Sequence, residues 1–155
     1  MSRYYRVFGC AETEPAPAAL LEYVHRCGIE AVGRIHSDDQ GWFAIDLVLS
    51  DSEMPVRLER FLANEDGIRP ELNTWAAWLE TAEHSPNHAW LMEQMIQTRQ
   101  VFTLEATGPD LEGSLEDELC LSLSLFLAQA TAGVYQVDSQ GFFAADGTLL
   151  LREEE

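Results

Sequence analysis

The sequence contains no lysine: all nine basic residues among its 155 are arginine, against 27 aspartates and glutamates. Without an ε-amine the chain cannot carry a phosphate-binding loop of the Walker type, a Schiff base or a pyridoxal phosphate linkage. It also lacks an apolar run long enough to span a bilayer. The segment 1–6 carries charge with no apolar stretch behind it, so it does not read as a signal peptide. Cysteine is scarce: Cys10, Cys27 and Cys120 are odd in number and far apart. That predicts no disulfide framework and a reducing, cytoplasmic setting. Neither a Gly-x-Gly-x-x-Gly fingerprint, a Gly-x-Ser-x-Gly elbow nor a His-Glu-x-x-His motif occurs. Dinucleotide binding, the hydrolase nucleophile turn and the helical zinc-protease site therefore have no sequence support, and no cofactor is expected.

Apolar residues make up 46% of the chain, enough for a core of ordinary size in one domain spanning 1–155. The formal charge is −18. A field of that sign repels DNA, RNA and anionic membranes and favours a basic protein partner.

The segment 38–46 (Asp-Asp-Gln-Gly-Trp-Phe-Ala-Ile-Asp) returns at 138–146 (Asp-Ser-Gln-Gly-Phe-Phe-Ala-Ala-Asp), with six of nine positions identical. Each copy joins turn chemistry, an aspartate before Gln-Gly, to an aromatic strand start. In the first copy, alternation from 42 to 49 places Phe43, Ile45, Leu47 and Leu49 on the core face. Trp42, Ala44, Asp46 and Val48 then fall on the other face. Phe143 is the expected core counterpart of Phe43.

Residues 3–9 read as a strand. A helix opening near Pro15 carries Leu20, Leu21, Val24 and Cys27 on its apolar stripe, and 30–36 read as a second strand. The middle reads as helical: a short helix over 54–63 capped by Asp51-Ser52 with Leu58, Phe61 and Leu62 inward, one from Pro70 with Leu72, Trp75, Trp78, Leu79 and Ala82 inward, and one from Ser85-Pro86 to about 100 with Leu91, Met92, Met95 and Ile96 inward and His88 on the same side. Then come a strand over 101–106, a capping-box-like Ser114-Leu-Glu-Asp117 opening a largely apolar helix to 131, and strands at 134–138, 142–145 and 148–151.

The pattern predicts an α+β fold. Its antiparallel sheet is built from two strand–helix–strand–strand halves, 3–50 and 101–152, with helices on one face and a helical insert, 51–100, between them. That element order is similar to the doubled units of effector-binding domains related to gyrase-inhibitory proteins; no shared motif carries the likeness, which is one of fold alone.

Candidate functional residues come from the insert and from the strand faces it could cover. Arg34, Trp42, Asp46, Trp78 and Trp90 form the expected ligand or partner site, with Trp90 lying off its helix's apolar stripe. The expected role is a non-catalytic module binding a basic protein or a small molecule. Two alternatives stand beside it. One is a small metal-dependent hydrolase using Glu80, Glu83, His84 and His88, although Ser85-Pro86 interrupts the helix that would align the histidines. The other is an acidic nucleic-acid mimic that inhibits a basic protein. Oligomeric state has no sequence signal.

Overall fold

A computed structural model describes residues 2–50 and 54–153. The described residues form β1 (Ser2–Gly9), α1 (Pro17–Arg26), β2 (Ala31–Asp38), β3 (Gly41–Leu49), β4 (Val56–Leu62), α2 (Ile68–Glu80), α3 (His88–Gln97), β5 (Gln100–Thr107), α4 (Leu115–Ala130), β6 (Val134–Val137), β7 (Gly141–Phe143) and β8 (Leu149–Arg152). All eight strands join one antiparallel sheet in the order β2-β3-β4-β5-β1-β6-β7-β8. The α+β class and both strand–helix–strand–strand runs are as expected. Among the described residues no helix is long and apolar enough to cross a membrane.

Adjacent residues of a strand point to opposite faces, and the two apolar clusters divide accordingly. On one face Tyr5 and Val7 of β1, Phe102 and Leu104 of β5 and Tyr135 and Val137 of β6 pack with α1 and α4. On the other face Phe8, Val101 and Val134 pack with Ile68, Leu72 and Leu79 of α2 and Leu91 and Met95 of α3. Helices therefore lie on both faces of the sheet, not on one. An eight-stranded sheet whose strands have apolar residues on both sides needs two helical layers to keep them from water.

The insert is only partly helical. Residues 54–63 contain strand β4, paired to β3 through Leu58↔Ile45 and to β5 through Leu58↔Leu104. Val56, Leu58 and Arg60 alternate inward, a period of two that overrides the helical spacing of Leu58, Phe61 and Leu62. The Asp51-Ser52 cap assigned to that segment lies outside the described residues.

Strand β3 also departs from simple alternation. Its pairing with β2 slips one residue: His36 opposes Ala44 and Ser37 opposes Trp42, leaving Phe43 without a partner. This β-bulge inverts the alternation at the strand's start. Trp42 turns into the α1/α4 core at 2% exposure, and Phe43 turns out at 41%. The matched buried pair of the repeat is Trp42 and Phe142, not Phe43 and Phe143. Cys27 and Ile96, expected on apolar stripes, are both exposed; Cys27 has become the residue that ends α1.

Half of the expected capping box forms at α4: Ser114 Oγ accepts from the Asp117 amide at 3.1 Å, but the Ser114 amide goes to Leu111 O at 2.9 Å instead of to the Asp117 side chain. Asp117 itself is buried and accepts from the Tyr5 hydroxyl, from Arg3 at 3.3 Å and from the Gly113 amide at 3.0 Å, fastening α4 to β1.

Candidate functional site

The two repeat segments do not occupy equivalent places. β2 and β3 end the sheet on one side, whereas β6 is enclosed between β1 and β7. Two regions with functional side chains result: a cavity at one end of the strands and an open stretch of sheet.

The cavity has a volume of about 800 Å³. It is lined at the end of β4 by Arg60, Leu62, Ala63 and Asn64, at the start of β5 by Arg99 and Gln100, along α3 and its end by Ile96, Gln97 and Thr98, after β1 by Cys10 and Glu12, and by Arg69 of α2. Its polar wall follows from β4's alternation. Arg60 takes the inward position after Val56 and Leu58, just where the strand runs out of apolar cover, and is only 6% exposed. Its Nε donates to Gln100 Oε1 at 2.9 Å and its Nη1 to the carbonyls of Trp42 at 3.1 Å and Gln40 at 3.5 Å. The guanidinium also lies 5.7 Å from the Trp42 ring centre. Burial lowers the pKa of Arg60, because desolvation disfavours the charged form. Gln100, fully buried, passes its own two N–H groups to Ala11 O at 2.7 Å and Thr13 O at 2.8 Å.

The other arginines of the wall are differently occupied. Arg69 donates to the carbonyls of Met95, Ile96 and Thr98 at 3.2–3.4 Å, completing the C-terminal end of α3. Arg99 pairs with Glu12 at 2.9 Å. Cys10 donates to Gln94 Oε1 at 3.3 Å, and burial raises its pKa. It rests as a thiol, the poorly nucleophilic form.

The open stretch runs across the first strands on the α2/α3 side of the sheet. One row reads Arg34, Asp46, Arg57, Glu105, Tyr4 across five paired strands. Asp46 shares a hydrogen bond with His36 Nε2 at 2.9 Å and accepts from Arg57 at 3.2 Å. These hold its pKa low, the His36 hydrogen bond most strongly, against burial, with the Arg57 charge adding to it. At the row's far end Arg6 lies between the rings of Tyr4 (5.2 Å) and Trp75 (5.1 Å) and donates to Gln136 at 2.8 Å and Asp138 at 2.7 Å. Burial alone would raise the Asp138 pKa; hydrogen bonds from Gln136 and Arg6 and the Arg6 charge bring it below the usual value.

The five expected site residues do not converge. Arg34 and Asp46 are register partners on the open face. Trp78 is 37% exposed on α2 and stacks on Phe142 at 5.9 Å, and Trp90 is 49% exposed on α3. Trp42 leaves the set: the bulge buries it in the opposite layer, where its Nε1 donates to Pro15 O at 2.7 Å. The quartet Glu80, Glu83, His84 and His88 is not assembled either. Among the described residues no three His, Cys, Asp or Glu side chains are grouped to hold a metal, and His88 Nδ1 is engaged with Ser85 O at 2.9 Å.

Sequence reasoning missed Arg60, Gln100, Arg6 and Asp138. Arg60 had at most the two-residue alternation of Val56 and Leu58, which its own charge breaks off. The Arg6–Asp138 pair had none, because its members are separated by 132 positions. No protein-family model matches the chain, and neither curated proteins nor solved structures give a match.

Proposed function

We propose that the protein is a non-catalytic binding module that takes a small molecule into the cavity at the ends of β1, β4 and β5. The observation that carries this reading is the cavity itself: about 800 Å³ with a polar wall whose central side chain is fixed in advance. Concave sites of this size with a few well-placed polar groups are the usual form of ligand sites. Support for a non-catalytic role comes from the same wall. Its one thiol is held protonated and bonded to Gln94, and no histidine lines the cavity to activate it. Screening a metabolite panel by protein-observed NMR tests the reading. Binders should shift the amides of Ala63, Asn64 and Gln100, and Ala63→Trp, which fills the space, should abolish those shifts. Binders that are indifferent to Ala63→Trp would sink it.

The second reading, a protein partner, is favoured by the exposure of Trp90, a large ring on a helix face that turns to solvent. A basic partner would gain from the −18 charge. Calorimetry of Trp90→Ala against a cationic partner at low salt tests it; unchanged affinity counts against it. The nucleic-acid mimic gains no support from the open face, whose row alternates Arg34, Asp46, Arg57 and Glu105 instead of repeating carboxylates at phosphate spacing.

A further inference from the structure

We propose that the cavity holds its ligand by an anionic group, a carboxylate or a phosphate, bound to the open terminal nitrogen of Arg60. This rests on the cavity being the ligand site and adds the class of ligand.

Arg60 is almost wholly buried, yet none of the ion pairs among the described residues includes it. All its partners are neutral oxygens: Gln100 Oε1 and the carbonyls of Trp42 and Gln40. A buried cation normally has a counter-ion, because neutral acceptors only partly replace lost hydration. Here Glu14, Glu65 and Asp38 favour the charged form only from beyond ion-pair distance, and no anion touches the guanidinium directly.

A guanidinium has five N–H donors in a fixed fork. Nε and Nη1 are committed to the three oxygens above, and Nη2 donates to none of the described residues. Yet among the described residues no sealed side-chain nitrogen lacks a partner. Nη2 is therefore not sealed, and Arg60 borders two cavities that could receive it. Two N–H groups on one nitrogen, presented to a cavity by a side chain already immobilised, form a preorganised oxyanion donor.

Of the two cavities that Arg60 borders, the larger suits an anion better. Arg60 also lines a smaller one of about 300 Å³, but Asp38 and Glu65 stand in that wall and would repel an anion. The larger wall gathers three of the chain's nine arginines, Arg60, Arg69 and Arg99, against the single carboxylate Glu12. In a chain of charge −18 this is a local reversal of sign. It draws small anions to one place while the rest of the surface repels them.

Inorganic phosphate and acetate are the probes. Titrated into the whole protein and followed by NMR, at least one of them should give saturable shifts at Ala63, Asn64 and Gln100, weakening as sodium chloride is added. Arg60→Gln should reduce the affinity about tenfold or more, as loss of a charge-assisted bond does. Arg99→Gln, at the rim, should reduce it about two- to threefold, and Arg152→Gln on β8 should leave it unchanged. If Arg60→Gln does not fold, Arg60→Lys keeps the charge without the fork and should still weaken binding. Undiminished binding in a folded Arg60 variant overturns the proposal. A neutral panel compound that binds and is blocked by Ala63→Trp, while phosphate and acetate are both ignored, overturns the anion assignment and leaves the cavity reading standing. No binder of any kind overturns both.

Discussion

In the segment 38–46 the first aspartate closes a turn and the last carries an ion pair; in 138–146 the assignments are reversed. Asp38 accepts from the Gln40 amide at 2.8 Å, while Asp46 faces His36 and Arg57. Asp138 faces Arg6, and Asp146 accepts from the Thr148 amide at 2.9 Å. The aromatic residue after the glycine is buried in both copies, but on opposite faces: Trp42 in the α1/α4 layer, Phe142 in the α2/α3 layer. One unpaired residue, Phe43, produces that inversion. The nine residues fix a turn and a strand start. Which group becomes structural, which becomes charged and which layer receives the ring are decided by the neighbours.

The glycines give the sharpest way to break this comparison. Gly41 and Gly141 both have positive φ, 103° and 133°. A Cβ at Gly141 would sit 2.0 Å from the backbone oxygen of Leu151, whereas one at Gly41 would meet only the flexible Glu14 carboxylate, at 2.7 Å. Gly141→Ala should cost about 3 kcal/mol or more and Gly41→Ala about 1–2 kcal/mol, read by urea denaturation. Equal losses would mean the two turns are equivalent after all.

The buried rings come next. Trp42→Phe leaves the Pro15 carbonyl without its donor and a void in the core, which should cost about 2–3 kcal/mol. Phe142→Leu, which breaks only ring contacts, should cost about 1–2 kcal/mol in the same assay.

The aspartates follow. Asp138→Asn should cost about 1–2 kcal/mol at neutral pH, and Asp38→Asn less than about 0.5 kcal/mol, since asparagine closes the same turn. Because the folded pKa of Asp138 is depressed, its contribution is present above the ordinary carboxylate range and is lost as pH falls through the depressed value. The gap between wild type and Asp138→Asn should therefore close on acidification below about pH 4. A pH series of denaturation curves reads this directly. The smallest effect belongs to Arg57→Gln: its pair with Asp46 is half in solvent, so the loss should be about 0.5 kcal/mol or less and should vanish in molar salt.

Most of the fold was legible where local signals agree with the final packing. Strand β1, the turn at Gln40-Gly41, the Ser114 cap and the last three strands all follow from turn chemistry and alternation. Strand β4 was not legible, and its loss and the loss of the site have a single cause. Arg60 interrupts the apolar alternation of Val56 and Leu58, which leaves Leu58, Phe61 and Leu62 free to read as a helical stripe. The residue that hid the strand is the residue at the centre of the cavity. Phe43 was misplaced because a bulge turns on pairing with β2, which β3's own sequence does not encode.

The position of β1 has a consequence for how the molecule is made. Ser2–Gly9 is the earliest strand in the sequence, yet it lies inside the sheet between β5 and β6, paired to Gln100–Thr107 and Val134–Val137. At about 5–20 residues per second of synthesis, several seconds or more pass before its second neighbour exists. Before then β2 and β3 can pair as a local hairpin, whereas Tyr5, Val7 and Phe8 lack the β6 side of their surroundings. Contacts at such separation in sequence also slow folding through the cost of closing long loops. Fitting β1 into the sheet therefore depends on long-range pairing that the β2–β3 hairpin does not need.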